Sequence, residues 1–222
     1  MTKTLVRLAA VLAVSSAIAV APWQTGPSVA QTGPMEHGGQ MGQGDAMMAQ
    51  LDQLTGDDFD KAFLVQMSVH HAMAIMMARP AAASAPHQEA ADLAKAIIGD
   101  QAAEIAKMGE WLKAWYGMDQ PMMTVMMANS NQQPMSMDGH QSMGDMPMMS
   151  MMGDLWKLPA PRLEVVFLSE MIPHHQSAVE MAHLAYDRAA HQELKDLAHS
   201  IDASQTQEIE QMNAWLAAWY NL

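Results

Sequence analysis

The 222-residue sequence contains no cysteine, only three phenylalanines and three tyrosines, and 11 basic residues against 24 acidic ones. Without cysteine, a soft metal ligand in this chain must be a thioether. The anionic balance disfavours contact with nucleic acid and anionic lipid. No segment alternates apolar and polar residues with a period of two, so the pattern predicts no sheet. What is abundant instead is methionine, with 26 residues.

The first 30 residues are typical of a secretory signal peptide. Lys3 and Arg7 precede an apolar stretch over residues 8–21, and Ser28-Val29-Ala30 is a small-x-small cleavage site. An uncleaved membrane anchor is the alternative, but the stretch is shorter than the roughly 20 residues that a spanning helix needs. We therefore expect an exported, periplasmic protein that does not associate with the membrane after cleavage.

The chain contains an internal repeat. Phe63–Tyr116 aligns without a gap on Phe167–Tyr220, and about half of the aligned residues are identical. The doubled histidine His70-His71 falls on His174-His175. A repeat of this length is one supersecondary unit used twice, so the pair serves either shared packing or shared chemistry.

Composition divides the rest of the chain. Residues 31–54 form a polar arm with Met and His that we expect to be disordered, and residues 55–117 and 159–222 form two helical hairpins. Between them, residues 118–158 hold 13 of the 26 methionines among Gln, Ser, Gly and Pro. Because this segment has almost no branched apolar residues, core filling explains its methionines poorly.

The periodicity predicts an all-α, ferritin-like four-helix bundle of two duplicated hairpins joined by the Met-rich linker. The first helix should run from residue 57 to 79 and stop at Pro80, and the second from 87 to 116. The third should cover 162–187 and kink at Pro173, and the fourth 191–220. Val69 stands at the position of Pro173, so the two copies need not share one geometry.

One stripe of each first helix should face the core. It is formed by Phe63, Met67, His70, Ala74 and Met77 and recurs as Phe167, Met171, His174, Ala178 and Met181. The inward histidines are then His70 and His174, set between thioethers. His71 and His175 lie on the flank, where they can reach a neighbouring helix or the rim. The duplication suggests two related sites.

The second helices carry polar residues within their own apolar stripes. These are Gln101 and Glu104 in one copy and Gln205 and Glu208 in the other. In an antiparallel hairpin, Gln101 and Glu104 should lie within one or two turns of Met67 and His70. They can be the outer shell of a metal site, or a plain His-Glu hydrogen bond can fix the helix register.

The repeated His and Met pattern favours metal binding over simple packing. Thioether selects Cu(I), imidazole accepts either oxidation state, and silver suits the thioethers equally well. The paired motifs Trp111–Tyr116 and Trp215–Tyr220 indicate packing at the bundle end, with a cation-π lid over Cu(I) as the alternative. We interpret His87 and His191 as helix-start residues and His183 and His199 as solvated.

The segment Met171–Ala182, with its Pro-His-His motif, is followed by Gln205, Glu208-Ile209, Met212 and Trp215-Leu216. This spacing resembles the CopM-like family of exported, ferritin-like proteins, a domain-of-unknown-function family. The resemblance covers about residues 59–116 and 162–220. It implies a periplasmic protein with a four-helix fold that contributes to copper tolerance and homeostasis by binding Cu(I) and Cu(II) through Met and His.

Carried over by position, the resemblance implies nine ligands. They are Met67, His70, His71, Met73 and Met77 in the first copy and Met171, His174, His175 and Met181 in the second. The first copy departs from the motif, with Ser68-Val69 for Ile172-Pro173 and with Met73 and Met76 for Ser177 and Glu180. Its site is therefore softer and more biased to Cu(I), or is the degenerate one.

Three functions compete. The first is a non-enzymatic copper protein that stores the metal or passes it to an efflux or transfer protein. The second is a dinuclear metal oxidase, which needs two Glu-x-x-His motifs, whereas a core helix offers only the outward-facing Glu180 and His183. The third is a structural bundle that binds a protein partner, which leaves the linker unexplained.

Overall fold

A computed structural model describes residues 48–121, 124 and 157–222. The predictions for the signal peptide and for most of the arm and linker concern residues outside these ranges. The helices are α1 (Gly56–Ser84), α2 (Gln88–Tyr116), α3 (Ala160–Arg188) and α4 (Gln192–Trp215), which a π-helical turn continues over Leu216–Tyr220. The four helices pack as a bundle, so the all-α prediction is confirmed. None of the helices in the described part of the chain is long and apolar enough to span a membrane.

Helix α1 begins and helix α2 ends at residues that the sequence marks as helix ends. Thr55 is extended, and Asp57 and Asp58 follow in the first turn of α1, where acids interact favourably with the helix dipole. Gly117 ends α2 in the left-handed conformation, with φ 65°, and its N–H donates to the carbonyl of Lys113. That conformation favours glycine, which has no Cβ.

The prediction that α1 stops at Pro80 is wrong. The helix runs through Pro80 to Ser84 and ends before Pro86, whose ring disfavours the helical conformation in Ala85. An internal proline costs about 3 kcal/mol, but Pro80 and Ala81 are buried and burial of this last turn offsets the cost. Helix α3 likewise runs through Pro173, and the predicted kink there stays a prediction.

The two hairpins pack through their first helices. Contacts join α1 to α2 and α3 to α4 within each hairpin, and α1 to α3 between hairpins. The start of α1 lies beside the end of α3, where Gly56 and Ala189 form an isolated backbone bridge. Helices α1 and α3 are therefore antiparallel, and corresponding residues of the two repeats approach each other near the helix centres.

The core is divided into two apolar clusters. One contains Met67 of α1 with Met181 of α3, and the other contains Met77 of α1 with Met171 of α3. On α2, α3 and α4 the two clusters are separated by an interval that carries polar side chains, and on α1 the doubled histidine follows Met67 of the first cluster and precedes Ala74 of the second. This interval defines the level of the bundle at which the doubled histidines lie.

Candidate metal centre

All four helices contribute polar side chains to the level between the two apolar clusters. We call this set the histidine layer. Its members are His70 and His71 from α1, Gln101 and Glu104 from α2, His174 and His175 from α3, and Gln205 and Glu208 from α4. The four histidines are at most 5% exposed. The predicted inward orientation of His70 and His174 is thus matched, and the flanking histidines are buried as well.

The two inward histidines meet at the interface between the hairpins. The ring centroids of His70 and His174 lie 3.8 Å apart with an interplanar angle of 44°. The sequence suggested one site in each repeat. Because α1 and α3 cross antiparallel at this level, the inward imidazoles of both repeats instead belong to one shared centre.

Each flanking histidine is bound to a carboxylate of its own hairpin. His71 Nε2 lies 2.7 Å from Glu104 Oε2, and His175 Nε2 lies 2.7 Å from Glu208 Oε2. The sequence predicted Glu104 within one or two turns of His70, and in the structure its hydrogen-bond partner is the adjacent His71. An ionised carboxylate only accepts hydrogen bonds, so Nε2 donates and Nδ1 keeps its lone pair. This arrangement orients the flanking imidazoles for coordination through Nδ1.

The inward histidines are not equivalent. His70 Nε2 is 2.7 Å from Ser177 Oγ, whereas neither ring nitrogen of His174 has a hydrogen-bond partner among the described residues. The repeat places Met73 at the position of Ser177. A thioether is a weak acceptor and donates nothing, so it cannot replace the serine hydroxyl. His174 is therefore the less satisfied of the two imidazoles.

The histidine layer concentrates buried polar atoms without partners. Among the described residues they include Nδ1 of all four histidines, Nε2 of His174, and Oε1 of Gln101 and Gln205. Buried polar groups are normally hydrogen-bonded, so such a concentration requires an explanation. Each neutral imidazole has one lone pair on nitrogen, and each amide oxygen has two. The layer is therefore suited to a cation.

The inward imidazoles are held neutral. The pKa of His70 is lowered to about 3, first because of burial and then because of the neighbouring His71 and His175. The pKa of His174 is also well below its ordinary value, first because of burial and then because of His70, His175 and His71. A neutral imidazole is the form that binds metal, so these histidines need no deprotonation at neutral pH.

Thioethers lie on both sides of the layer. Met67 and Met171 are fully buried, Met77 and Met181 are nearly so, and Met73 is partly exposed. The sequence grouped each methionine with the histidines of its own repeat. Packing instead groups Met67 with Met181 and Met77 with Met171, because α1 and α3 are antiparallel.

Sequence reasoning missed two hydrogen-bonded groups at the ends of the bundle. We call them the first end clasp (Asp60, Trp115, Tyr116, His191) and the second end clasp (Glu164, Trp219, Tyr220, His87). In the first, His191 Nδ1 lies 2.7 Å from Asp60 Oδ2, and its ring stacks 3.9 Å from that of Trp115. In the second, His87 Nδ1 lies 2.6 Å from Glu164 Oε1, and its ring stacks 3.9 Å from that of Trp219.

Each end clasp joins the turn of one hairpin to the other hairpin. Asp60 and Glu164 are fully buried and also accept hydrogen bonds from the phenols of Tyr116 and Tyr220. Burial and these carboxylates raise the pKa of both phenols. The available signal was the offset of the repeat, which aligns Asp60 with Glu164 and His87 with His191.

The other histidines and the Trp motifs lie where the sequence predicted them. His87 and His191 directly precede α2 and α4, and the Trp motifs pack at the bundle ends. His183 is about half exposed and contacts Asp202, while exposed His199 stacks on Tyr186. None of these residues reaches the histidine layer.

Fold and site together define a class of protein: an all-α bundle of two duplicated hairpins enclosing a buried layer of imidazoles flanked by thioethers. The chain belongs to the family described as domain of unknown function DUF305, whose profile matches residues 12–112 and again residues 65–216. The two matches agree with the internal repeat.

Solved structures of two relatives resemble the chain. CopM in its Cu(I)-bound form is 30% identical, with TM-score 0.56, over 72% of this chain and 97% of that one. The Cu(II)-bound form of CopM is 32% identical, with TM-score 0.52, over 72% of this chain and 98% of that one. CopM has also been solved with silver bound. A DUF305 protein from Streptomyces coelicolor, described as secreted, is 29% identical, with TM-score 0.54, over 71% of this chain and 92% of that one. A comparison with curated proteins gives no match.

Proposed function

We propose that this protein binds copper at the histidine layer, as Cu(I) or Cu(II), and stores or transfers it in the periplasm without catalysis. The observation that carries the proposal is the set of buried, unpaired lone-pair donors on four imidazoles and two amides. An adjacent supply of thioethers suits Cu(I), and neutral imidazole suits both oxidation states. CopM, which shares the fold and about 30% of its residues with this chain, has been solved with Cu(I), Cu(II) and silver bound.

The residues of the histidine layer have different roles in the proposed binding of copper. The unpaired nitrogens of His70 and His174 would hold the metal between the hairpins, with Nδ1 of His71 and His175 reachable at the flanks. Glu104 and Glu208 would orient these flanking rings through their Nε2 hydrogen bonds and would supply negative charge. The proposed thioether ligands are Met67, Met73, Met77, Met171 and Met181.

Copper binding fits the exported location predicted from residues 1–30. In an oxidising compartment free thiols are drawn into disulfides, so His and Met are the durable ligands for this metal. The proposed partners are metal ions and a copper efflux or transfer protein, and the proposed role is copper tolerance. The dinuclear oxidase gains no support, since Glu180 and His183 are exposed on the surface of α3.

Titration of the purified, metal-free protein with Cu(I) in competition with a chromogenic chelator tests the proposal. The parent protein should withdraw Cu(I) from the chelator, and the double variant His70→Gln with His174→Gln should do so much less well. The exposed His199→Gln variant is the matched control and should behave as the parent. Copper binding at the histidine layer would be refuted if the parent protein withdrew no Cu(I) from the chelator. It would also be refuted if the double histidine variant withdrew as much Cu(I) as the His199→Gln control.

A further inference from the structure

The first end clasp contains an arrangement that the histidine layer does not explain. Asp57, Asp60 and His191 offer two carboxylate oxygens and one imidazole nitrogen, and these three atoms lie within 4.8 Å of one another. Asp57 is exposed at the mouth of the group, His191 is partly buried and Asp60 is fully buried. We propose that Asp57, Asp60 and His191 form a second metal site, which takes a borderline divalent cation of the Zn(II) class.

The ligand set matches that class of cation. Zn(II) binds imidazole nitrogen and carboxylate oxygen at about 2.0–2.2 Å in tetrahedral geometry, which places two of its ligand atoms about 3.3–3.6 Å apart. The three ligand atoms lie within 4.8 Å of one another, so the widest pair must close by at most about 1.3 Å, and the exposed Asp57 side chain can turn to close it. No thioether is involved, so this site differs in chemistry from the histidine layer.

The histidine is held in a fixed orientation. The ring of His191 lies parallel to that of Trp115, with an interplanar angle of 2°, and its Nδ1 is directed at the carboxylate of Asp60. The N–H groups of Ala190 and His191 donate to Asp60 and fix its carboxylate as well. A bound cation would displace the Nδ1–H proton to solvent, and Nδ1 and Oδ2 would separate from 2.7 Å to about 3.4 Å around it.

The charge balance favours a cation at this end of the bundle. The basic side chains beside the group are bonded to other acids, Lys61 to Asp58 and Arg188 to Asp52. Asp57 and Asp60 share the hydroxyl of Tyr116 as a hydrogen-bond donor. Two neighbouring carboxylates that share neutral donors repel each other, and a divalent cation removes this repulsion.

The repeat supplies an internal comparison. The second end clasp retains the carboxylate, histidine, tryptophan and tyrosine as Glu164, His87, Trp219 and Tyr220. The position of Asp57, however, is taken by Pro161. The second end clasp joins the hairpins without a carboxylate at this position, so the carboxylate of Asp57 is not needed for that role. We therefore assign the metal site to the first end clasp alone.

Calorimetric titration of the metal-free protein with Zn(II) tests the site. The parent should show a binding event that Asp57→Asn weakens at least about tenfold. The control Asp100→Asn removes the same charge from an exposed position on α2 and should leave this event unchanged. Because Asp57 is exposed, its replacement should not unfold the protein, and a small decrease in the metal-free melting temperature, from the lost helix-dipole interaction, checks this.

A second variant separates this site from the proposed copper centre. The double variant His70→Gln with His174→Gln should keep the Zn(II) event that depends on Asp57, even where Cu(I) binding is lost. Equal Zn(II) affinity in Asp57→Asn and Asp100→Asn would overturn the proposal. The proposal would also be overturned if the variant His70→Gln with His174→Gln lost Zn(II) binding while Asp57→Asn kept it.

Discussion

The rings of His70 and His174 are in contact at an interplanar angle of 44°, with centroids 3.8 Å apart, although 104 residues separate them in the sequence. One accepts or donates a hydrogen bond with Ser177, and the other has no partner among the described residues. Two neutral imidazoles in contact at an interface between hairpins form a centre that neither hairpin possesses alone. Occupation of this centre by a metal would link the hairpins directly.

Replacing Met73 by serine should weaken Cu(I) binding. The new hydroxyl would occupy the position that Ser177 has in the other repeat, give His174 a hydrogen-bond partner and remove one thioether. We expect a loss of about tenfold, or ~1.4 kcal/mol, in competition with a Cu(I) chelator. The reciprocal variant Ser177→Met is the matched control, and it should not weaken Cu(I) binding. A loss in both variants would argue against this role of the asymmetry.

Replacing all four layer histidines by glutamine should weaken Cu(II) more than Cu(I). The remaining thioethers keep affinity for the softer Cu(I), whereas Cu(II) depends on imidazole. Parallel titrations of the two oxidation states, with Cu(I) kept reduced, would measure the ratio. Equal losses for Cu(I) and Cu(II) would contradict this division of labour between His and Met.

Removing the charge of Glu104 or Glu208 should weaken copper binding without removing a ligand. Each carboxylate orients a flanking histidine through a 2.7 Å contact with Nε2. Loss of such an outer contact typically costs about 10–100-fold in metal affinity. Competition titrations of Glu104→Gln and Glu208→Gln measure the effect, and exposed Glu110→Gln is the control. Unchanged affinity in both variants would show that the His-Glu pairs only fix the helix register.

The metal-free protein should lose stability as the pH falls below about 6.5. The folded state keeps His70 and His174 neutral, since burial lowers the pKa of both, while their unfolded forms bind protons below 6.5. More protons bind to the unfolded state, so each histidine costs up to about 1.4 kcal/mol per pH unit in that range. Urea unfolding between pH 7.5 and 5 checks this. His70→Gln should flatten the dependence, and the same slope in that variant would contradict the assignment.

Replacing Glu164 by glutamine should destabilise the bundle. The buried carboxylate accepts from His87 N–H, from the His87 ring and from the hydroxyl of Tyr220. Weakening these charge-assisted bonds should cost about 2 kcal/mol, which lowers the melting temperature by about 4–8 °C. Differential scanning calorimetry measures the shift. The exposed Glu110→Gln variant should have the same melting temperature as the parent, and equal melting temperatures for Glu164→Gln and Glu110→Gln would exclude a stabilising role for the second end clasp.

The sequence by itself determined the helices, their order and the inward histidines. A 3.6-residue period of apolar side chains fixes which face of a helix is buried, and the 104-residue offset shows that one hairpin is used twice. The error at Pro80 arose because a local rule ends the helix there. Burial of Pro80 and Ala81 against the core, which is a tertiary effect, keeps the helix intact to Ser84.

Only the tertiary structure decided how the repeats combine. Periodicity orients a side chain relative to its own helix and carries no information about which helix faces it. The antiparallel crossing of α1 and α3 brings His70 to His174 and His191 to Asp60, and the packing of α2 on α1 pairs Glu104 with His71. The one shared centre and the two end clasps therefore follow from packing between distant segments, which no single stretch of sequence encodes.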